Sequence, residues 1–233
     1  MLTRTSIFWL ILPLGFLGPK NSEAQAFRED QGVLRIFRDG IEIGREDFSI
    51  TAGATNAAGQ RGSRLVASVA YPPRRTSVTL GRRVEFGADS QPQVVQFESS
   101  RPDADRVVAQ FGERRLTIRT ISRTEESAQE HPRMGRYMVV DDSSFSLYAL
   151  PPSTAPGPIT LFWVRQGFGE TFQLQNMGVE QTTVDGRPVS LTHIVLRSDE
   201  DSRHIWYDER GRLTKVEIPK AGITAERTIG ATR

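Results

Sequence analysis

Apolar and polar residues alternate at every second position across most of residues 33–227, the pattern of strands with one face buried and one in water. Val33-Leu34-Arg35-Ile36-Phe37 runs into Asp39-Gly40 and returns as Ile41-Glu42-Ile43-Gly44-Arg45. Asp-Gly supplies the positive φ angles of a type I′ turn, so this segment is a predicted hairpin. Residues 107–111 turn at Gly112-Glu113 into 116–121, where Leu116, Ile118 and Thr120 share one face and Thr117, Arg119 and Ile121 the other. In the last third, Phe172-Gln173-Leu174 and residues 179–184 approach Asp185-Gly186, and the chain returns through 189–196. His204-Ile205-Trp206-Tyr207 then reaches Asp208-Glu209-Arg210-Gly211, whose glycine suits a left-handed residue beside a bulge, and 213–218 returns to stop at Pro219. Roughly ten or more strands on short turns predict an all-β fold: one large antiparallel sheet curled into a barrel or half-barrel, with one or two short helical segments.

Three stretches interrupt the alternation. Residues 52–63 have almost nothing to bury and read as a long mobile loop. Residues 122–133 include Thr124-Glu125-Glu126-Ser127-Ala128-Gln129-Glu130 and read as one or two exposed helical turns ended by His131-Pro132. In residues 141–152, Asp142 suits a helix N-cap, Phe145, Tyr148 and Ala149 fall at helical spacing, and Pro151-Pro152 ends the run. A short apolar helix there has the concave face of the curled sheet as its docking place; a further strand over 145–150 is the alternative.

The N-terminus changes the picture. Arg4 precedes the apolar run 7–17, which is too short for a comfortable membrane span, and Ala24-Gln25-Ala26 offers a small-x-small cleavage site. The reading is a cleaved signal peptide at 1–26, a single β-rich domain at 27–233, and a periplasmic or secreted location. With no cysteine, the chain carries no disulfide, no thiolate nucleophile and no lipidated N-terminal cysteine. An ordinary apolar core must hold it. Loss of residues 1–26 removes Arg4, Lys20 and Glu23 and takes the net charge from +2 to +1. Arg74-Arg75, Arg82-Arg83 and Arg114-Arg115 lie in alternating patterns and read as solvated strand faces rather than a nucleic-acid track. An outer-membrane barrel fits poorly, because strand exteriors are charged and the chain ends Gly230-Ala231-Thr232-Arg233.

Candidate chemistry is sparse. There is no Gly-x-Ser-x-Gly motif, and His131, His193 and His204 are the only histidines. His193 and His204, placed on neighbouring strands, would need Asp199 or Asp201 to hold a metal, and ordinary strand histidines are the simpler account. Asp199-Glu200-Asp201 lacks the glycine and distal glutamate of a calcium loop. Asp141-Asp142, if in a strand, point to opposite faces, so helix capping explains them better than paired-carboxylate catalysis. Gly167-Phe168-Gly169 is followed by Phe172 where a dinucleotide fingerprint needs glycine, and reads as a turn. No catalytic set can be assembled, and no cofactor or metal is expected.

From Met138 to Arg227 the chain runs strand, Asp-initiated apolar segment, then strands ending in Val184-Asp185-Gly186-Arg187 and Trp206-Tyr207-Asp208-Glu209-Arg210-Gly211-Arg212-Leu213; Phe37-Arg38-Asp39-Gly40-Ile41-Glu42-Ile43-Gly44 opens the first half. This resembles exported bacterial β-proteins of unknown function with the half-barrel shape of the LolA-like lipoprotein carriers. The resemblance implies fold and compartment, and a concave face that takes a lipid or other amphipathic ligand. Phe145, Tyr148, Phe162, Trp163 and Trp206 are the expected ligand-binding residues, with Tyr148 near a headgroup and Pro151-Pro152 as the hinge of a lid. The Tyr-Asp repeat of secreted shell proteins also resembles 207–213, but a single copy cannot stack. The alternative function is a non-enzymatic interaction or assembly module of the envelope, working on proteins or polysaccharide, with a solid core. An apolar cavity of several hundred Å³ would favour the ligand reading, a filled interior the module.

Overall fold

The computed structural model describes residues 29–228 except 56–58, 60, 73–77, 90, 102–104, 134 and 150–154. The expected signal peptide at 1–26 and the Pro151-Pro152 hinge lie outside the described residues. The first half holds β1 (Asp30–Arg38), β2 (Ile41–Thr55), β3 (Arg61–Tyr71), β4 (Val78–Phe86), β5 (Pro92–Ser99), β6 (Arg106–Phe111), β7 (Arg115–Ile121) and β8 (Glu126–Pro132). The second holds β9 (Tyr137–Val140), β10 (Gly157–Trp163), β11 (Phe168–Val184), β12 (Arg187–Arg197), β13 (Ser202–Tyr207), β14 (Leu213–Ile218) and β15 (Ile223–Arg227). Two single turns of 3-10 helix, η1 (Ser146–Ala149) and η2 (Pro219–Ala221), complete it.

The fifteen strands of the described residues form one sheet in the order β8-β7-β6-β5-β4-β3-β2-β1-β15-β14-β13-β12-β11-β10-β9. Each half is a meander of hairpins, and the antiparallel β1·β15 pair, Leu34 opposite Arg227, joins them at the centre. The Asp39-Gly40 and Asp185-Gly186 turns carry the positive φ angles their sequences demand, 49° and 79° in the first, 49° and 74° in the second. Among the described strands only β9 and β10 run parallel.

That order puts β8 and β9 at opposite edges of the sheet, yet residues 133–136 alone connect them. Four residues reach at most about 17 Å, so the sheet must curl until its edges nearly meet. Rings cross the seam: His131 of β8 meets Phe162 of β10 at 5.6 Å, and Phe111 of β6 stacks on Tyr137 of β9 at 4.9 Å. The sheet is curled and β-barrel-like without being closed, as the alternation requires.

Inward positions, such as Leu34 and Ile36, Phe48 and Ile50, Leu65 and Val69, Val95 and Phe97, Ile205 and Tyr207, form one apolar core on the concave face. Two expectations fail here. Residues 52–55 and 61–63 are not loop: β2 and β3 continue past the core, with Ala52 opposite Ser63 and Thr55 opposite Arg61, and 56–58 and 60 lie outside the described residues. Backbone pairing needs no apolar side chain, so composition misleads. Residues 122–133 are not helical turns: β8 pairs with β7 from Ile121·Glu126 to Arg115·Pro132. Cross-strand ion pairs, Arg115–Glu130 at 2.5 Å and Arg119–Glu126 at 3.6 Å, take the place of an apolar face.

Candidate functional site

The concave face is occupied by the chain itself. Residues 141–149 lie inside the curl, and Ser144, Phe145, Ser146, Leu147, Tyr148 and Ala149 are all buried. Instead of a helix capped by Asp142, there is a turn in which the Asp141 carboxylate accepts the Ser143 N–H at 2.8 Å, followed by the single turn η1. The docking place is as expected; the helix is shorter.

Charged and phenolic groups from four strands hold this plug. Glu46, in phase with the inward Phe48 and Ile50 of β2, is fully buried. Its Oε2 accepts the Phe145 and Ser146 N–H groups at 2.6 and 3.2 Å, and its Oε1 accepts the Ser144 hydroxyl at 2.7 Å and the Ser146 hydroxyl. Burial raises the carboxyl pKa despite these four bonds, each of which favours the ionised form. Tyr71 of β3 donates to the Ser143 carbonyl at 3.1 Å.

Arg82 of β4 donates to Asp141 at 3.3 Å and to the Ser143 hydroxyl at 3.0 Å, with its guanidinium 4.5 Å over Phe97. The Arg82-Arg83 pair is therefore not a solvated face: alternation sends Arg82 inward and leaves Arg83 outside. Burial lowers the Arg82 pKa, while Asp141 opposes the shift.

Arg203 of β13 donates to Asp142 at 2.6 Å, to the Tyr148 hydroxyl at 2.7 Å and to Asp201 at 3.1 Å, and lies 5.0 Å over Trp163. Burial works against its charge, but Tyr148 and Asp142 outweigh it and hold the pKa above the ordinary arginine value. The Tyr207 hydroxyl donates to the Tyr148 carbonyl at 2.6 Å. Asp141 and Asp142 thus diverge to different arginines.

The five expected ligand residues separate. Phe145 and Tyr148 come together in the plug at 0% exposure, and Trp163 joins them through Arg203. A water-sized void against a side chain would leave it accessible surface, so Phe145 and Tyr148 border none. Phe162, adjacent to Trp163 in β10, turns to the other face toward His131. Trp206 is not a concave-wall residue: it packs outside with Val184 and Leu191 in a separate cluster. Glu46, Tyr71, Arg82, Arg203 and Tyr207 are missing from the expected set, although a charge in phase with apolar neighbours marked Glu46, Arg82 and Arg203.

On the convex face, the β11–β12 hairpin bends at a bulge between Asn176 and Gly178. Beyond Thr192, which faces Tyr207, it outruns β13 and folds across the sheet. Lys215 donates to the Thr183 carbonyl at 3.3 Å, Asp185 N–H reaches Glu226 at 3.0 Å, and Arg35 pairs with Asp185 at 3.2 Å. Beneath this arm, His193 stacks on Trp206 at 4.5 Å, and its Nε2 lies 3.1 Å from His204 Nδ1. Trp206 Nε1 donates to Glu180 at 2.7 Å. Asp201, considered as a metal partner, binds Arg203 instead. A separate open groove of about 730 Å³, bordered by Phe168, Gln173, Arg197 and Asp199, lies between the start of β11 and the β12–β13 turn. Its lining is too polar for an acyl chain.

The fold resembles the crystal structure of a β-barrel-like protein of a domain of unknown function, DUF1849, from Brucella abortus, over 86% of this chain and 95% of that one, with a TM-score of 0.51 and 9% identity. At that identity the likeness is one of fold. No protein-family model matches the chain, and no curated protein matches it.

Proposed function

We propose that the protein is a non-enzymatic interaction or assembly module of the bacterial envelope, exported by the signal at 1–26, whose work is done on its outer surface. One observation carries this reading: Phe145 and Tyr148 lie in the concavity at 0% exposure, so the place a carried lipid would take is held by the chain's own segment. The outer surface offers material for contacts, since Phe168, Met177 and Val179 on β11 are large apolar residues more than half exposed. A photo-crosslinking residue at Val179 of the exported protein tests the reading in cells. It should give a discrete macromolecular adduct; no adduct from Val179, Met177 or Phe168 would overturn it.

The LolA-like carrier is the second reading, favoured by the placement of residues 141–149 inside a half-barrel, where a lid would close. It requires the plug to leave. That breaks the four bonds to Glu46 and the bonds to Arg82 and Arg203 together, with a buried charge left behind in each case. The geometry therefore favours the module.

A further inference from the structure

We propose that the β11–β12 arm is an acid-released cover over the convex face, with the His193–His204 pair as its proton sensor. The inference stands on the arm's own contacts and does not depend on what the module binds.

The pair sits where the arm leaves the sheet. His193 is on β12 and His204 on β13, and Thr192·Tyr207 is the last pairing before the arm outruns β13. His193 is 7% exposed and lies flat on Trp206, with an interplanar angle of 7°. A bond between Nε2 of one imidazole and Nδ1 of the other, at 3.1 Å, needs one N–H and one lone pair. It therefore forms only while at least one ring is neutral. A second proton turns it into two N–H groups and two positive charges face to face, and the contact must open.

The surrounding charges do not cancel this. Glu180 from β11, Arg197 from β12 and Glu217 from β14 act on His204, and Lys215 of β14 lies 5.3 Å from the Trp206 ring. Glu180 Oε1 is 3.1 Å from His193 Nδ1 and can compensate one proton on the pair. Lys215 and Arg197 add to the cost of the second. Burial, and then the nearness of His193, lowers the His204 pKa from its ordinary 6.5.

The sign follows from linkage. An opened arm binds the proton more readily than a closed one, so the closed form is fully favoured above about pH 6.5. It loses that advantage as pH falls toward the depressed value. Glu180 is separable: the Trp206 bond, opposed by burial and helped by His193, lowers its pKa, so it stays ionised at about pH 5. What acid uncovers is Trp206, with Val184 and Leu191, at the bulge where Gly178 (φ 82°) lets the chain hinge.

Hydrogen exchange of the mature chain at about pH 7.5 and about pH 5, corrected for intrinsic exchange chemistry, tests this. Amides of residues 180–184, 187 and 189–191 should open about tenfold more at the lower pH relative to β3 and β4, and His204→Gln should abolish the difference. Equal pH response of arm and core, or its survival in H204Q, overturns the proposal. Ring nitrogen NMR of the unmutated protein provides the independent readout. Loss of the bridging hydrogen bond on double protonation should coincide with arm opening; two doubly protonated rings beneath a still-protected arm would contradict it.

Discussion

Oε2 of Glu46 accepts the backbone N–H of Phe145 at 2.6 Å, across 99 positions of sequence. That contact ties the second strand to the segment that fills the curl. It also explains how a carboxylate survives full burial: Oε2 takes two backbone donors and Oε1 two hydroxyls. The donors are positions that the plug would otherwise leave unsatisfied.

Glu46→Ala strands those four donors and should cost about 3 kcal/mol or more. Glu46→Gln should cost less than about 1 kcal/mol, because a carboxamide oxygen can keep the two N–H donors while both hydroxyls rotate to accept from its NH₂. The pH dependence has a definite sign. With the folded pKa raised, ionisation penalises the native state, so this contribution weakens as pH rises through the usual glutamate value toward the folded one. Denaturant melts of both variants across about pH 4 to 8 should show that slope in the unmutated chain and not in E46Q.

Phe145 is core. Phe145→Ala should lose about 3–5 kcal/mol, and Phe145→Asp, which on the ligand reading would leave the sheet folded, should fail to fold. Thermal melts with circular dichroism decide between them. A folded F145D protein would show that the plug is dispensable.

Legibility divides along the same line. Turns and alternation are readable because Asp39-Gly40 and Asp185-Gly186 impose backbone angles locally, and the docked segment is readable because Phe145, Tyr148 and Ala149 fall at helical spacing after Asp142. β8 is not, because its stability comes from pairing with β7 rather than from its own side chains. Trp206 lies on the convex face because period two points it away from Ile205 and Tyr207, a parity that aromatic content alone does not carry. The arginine-rich faces misled for a related reason. Arg82 and Arg203 alternate in phase with core residues, and their partners, Asp141 and Asp142, arrive from far along the chain.

All four tyrosines of the chain are shifted upward, chiefly by burial: Tyr137 and Tyr148 to about 12, Tyr71 and Tyr207 also well above the ordinary value. The unfolded chain ionises near pH 10, so stability falls as pH rises through that value. Ultraviolet titration should show no native tyrosinate near pH 10, and then a step that coincides with unfolding. Tyr207→Phe, which loses only the bond to the Tyr148 carbonyl, should cost about 1–2 kcal/mol.

Gly44 lies under the Tyr71 ring, where a Cβ would overlap the ring edge. Gly44→Ala must push Tyr71 away and break its bond to the Ser143 carbonyl. A loss of about 1–3 kcal/mol is expected. Tyr71→Phe alone should lose less, and the double variant should be less than additive, since both act on one contact.

The proposed function requires that residues 141–149 take the place of a ligand in the concavity. Native mass spectrometry of the protein purified from the cells that make it measures this directly. The account predicts the mass of the mature chain alone, with no lipid in organic extracts of the same sample. A stoichiometric bound lipid, lost when the plug is altered, would contradict it and restore the carrier.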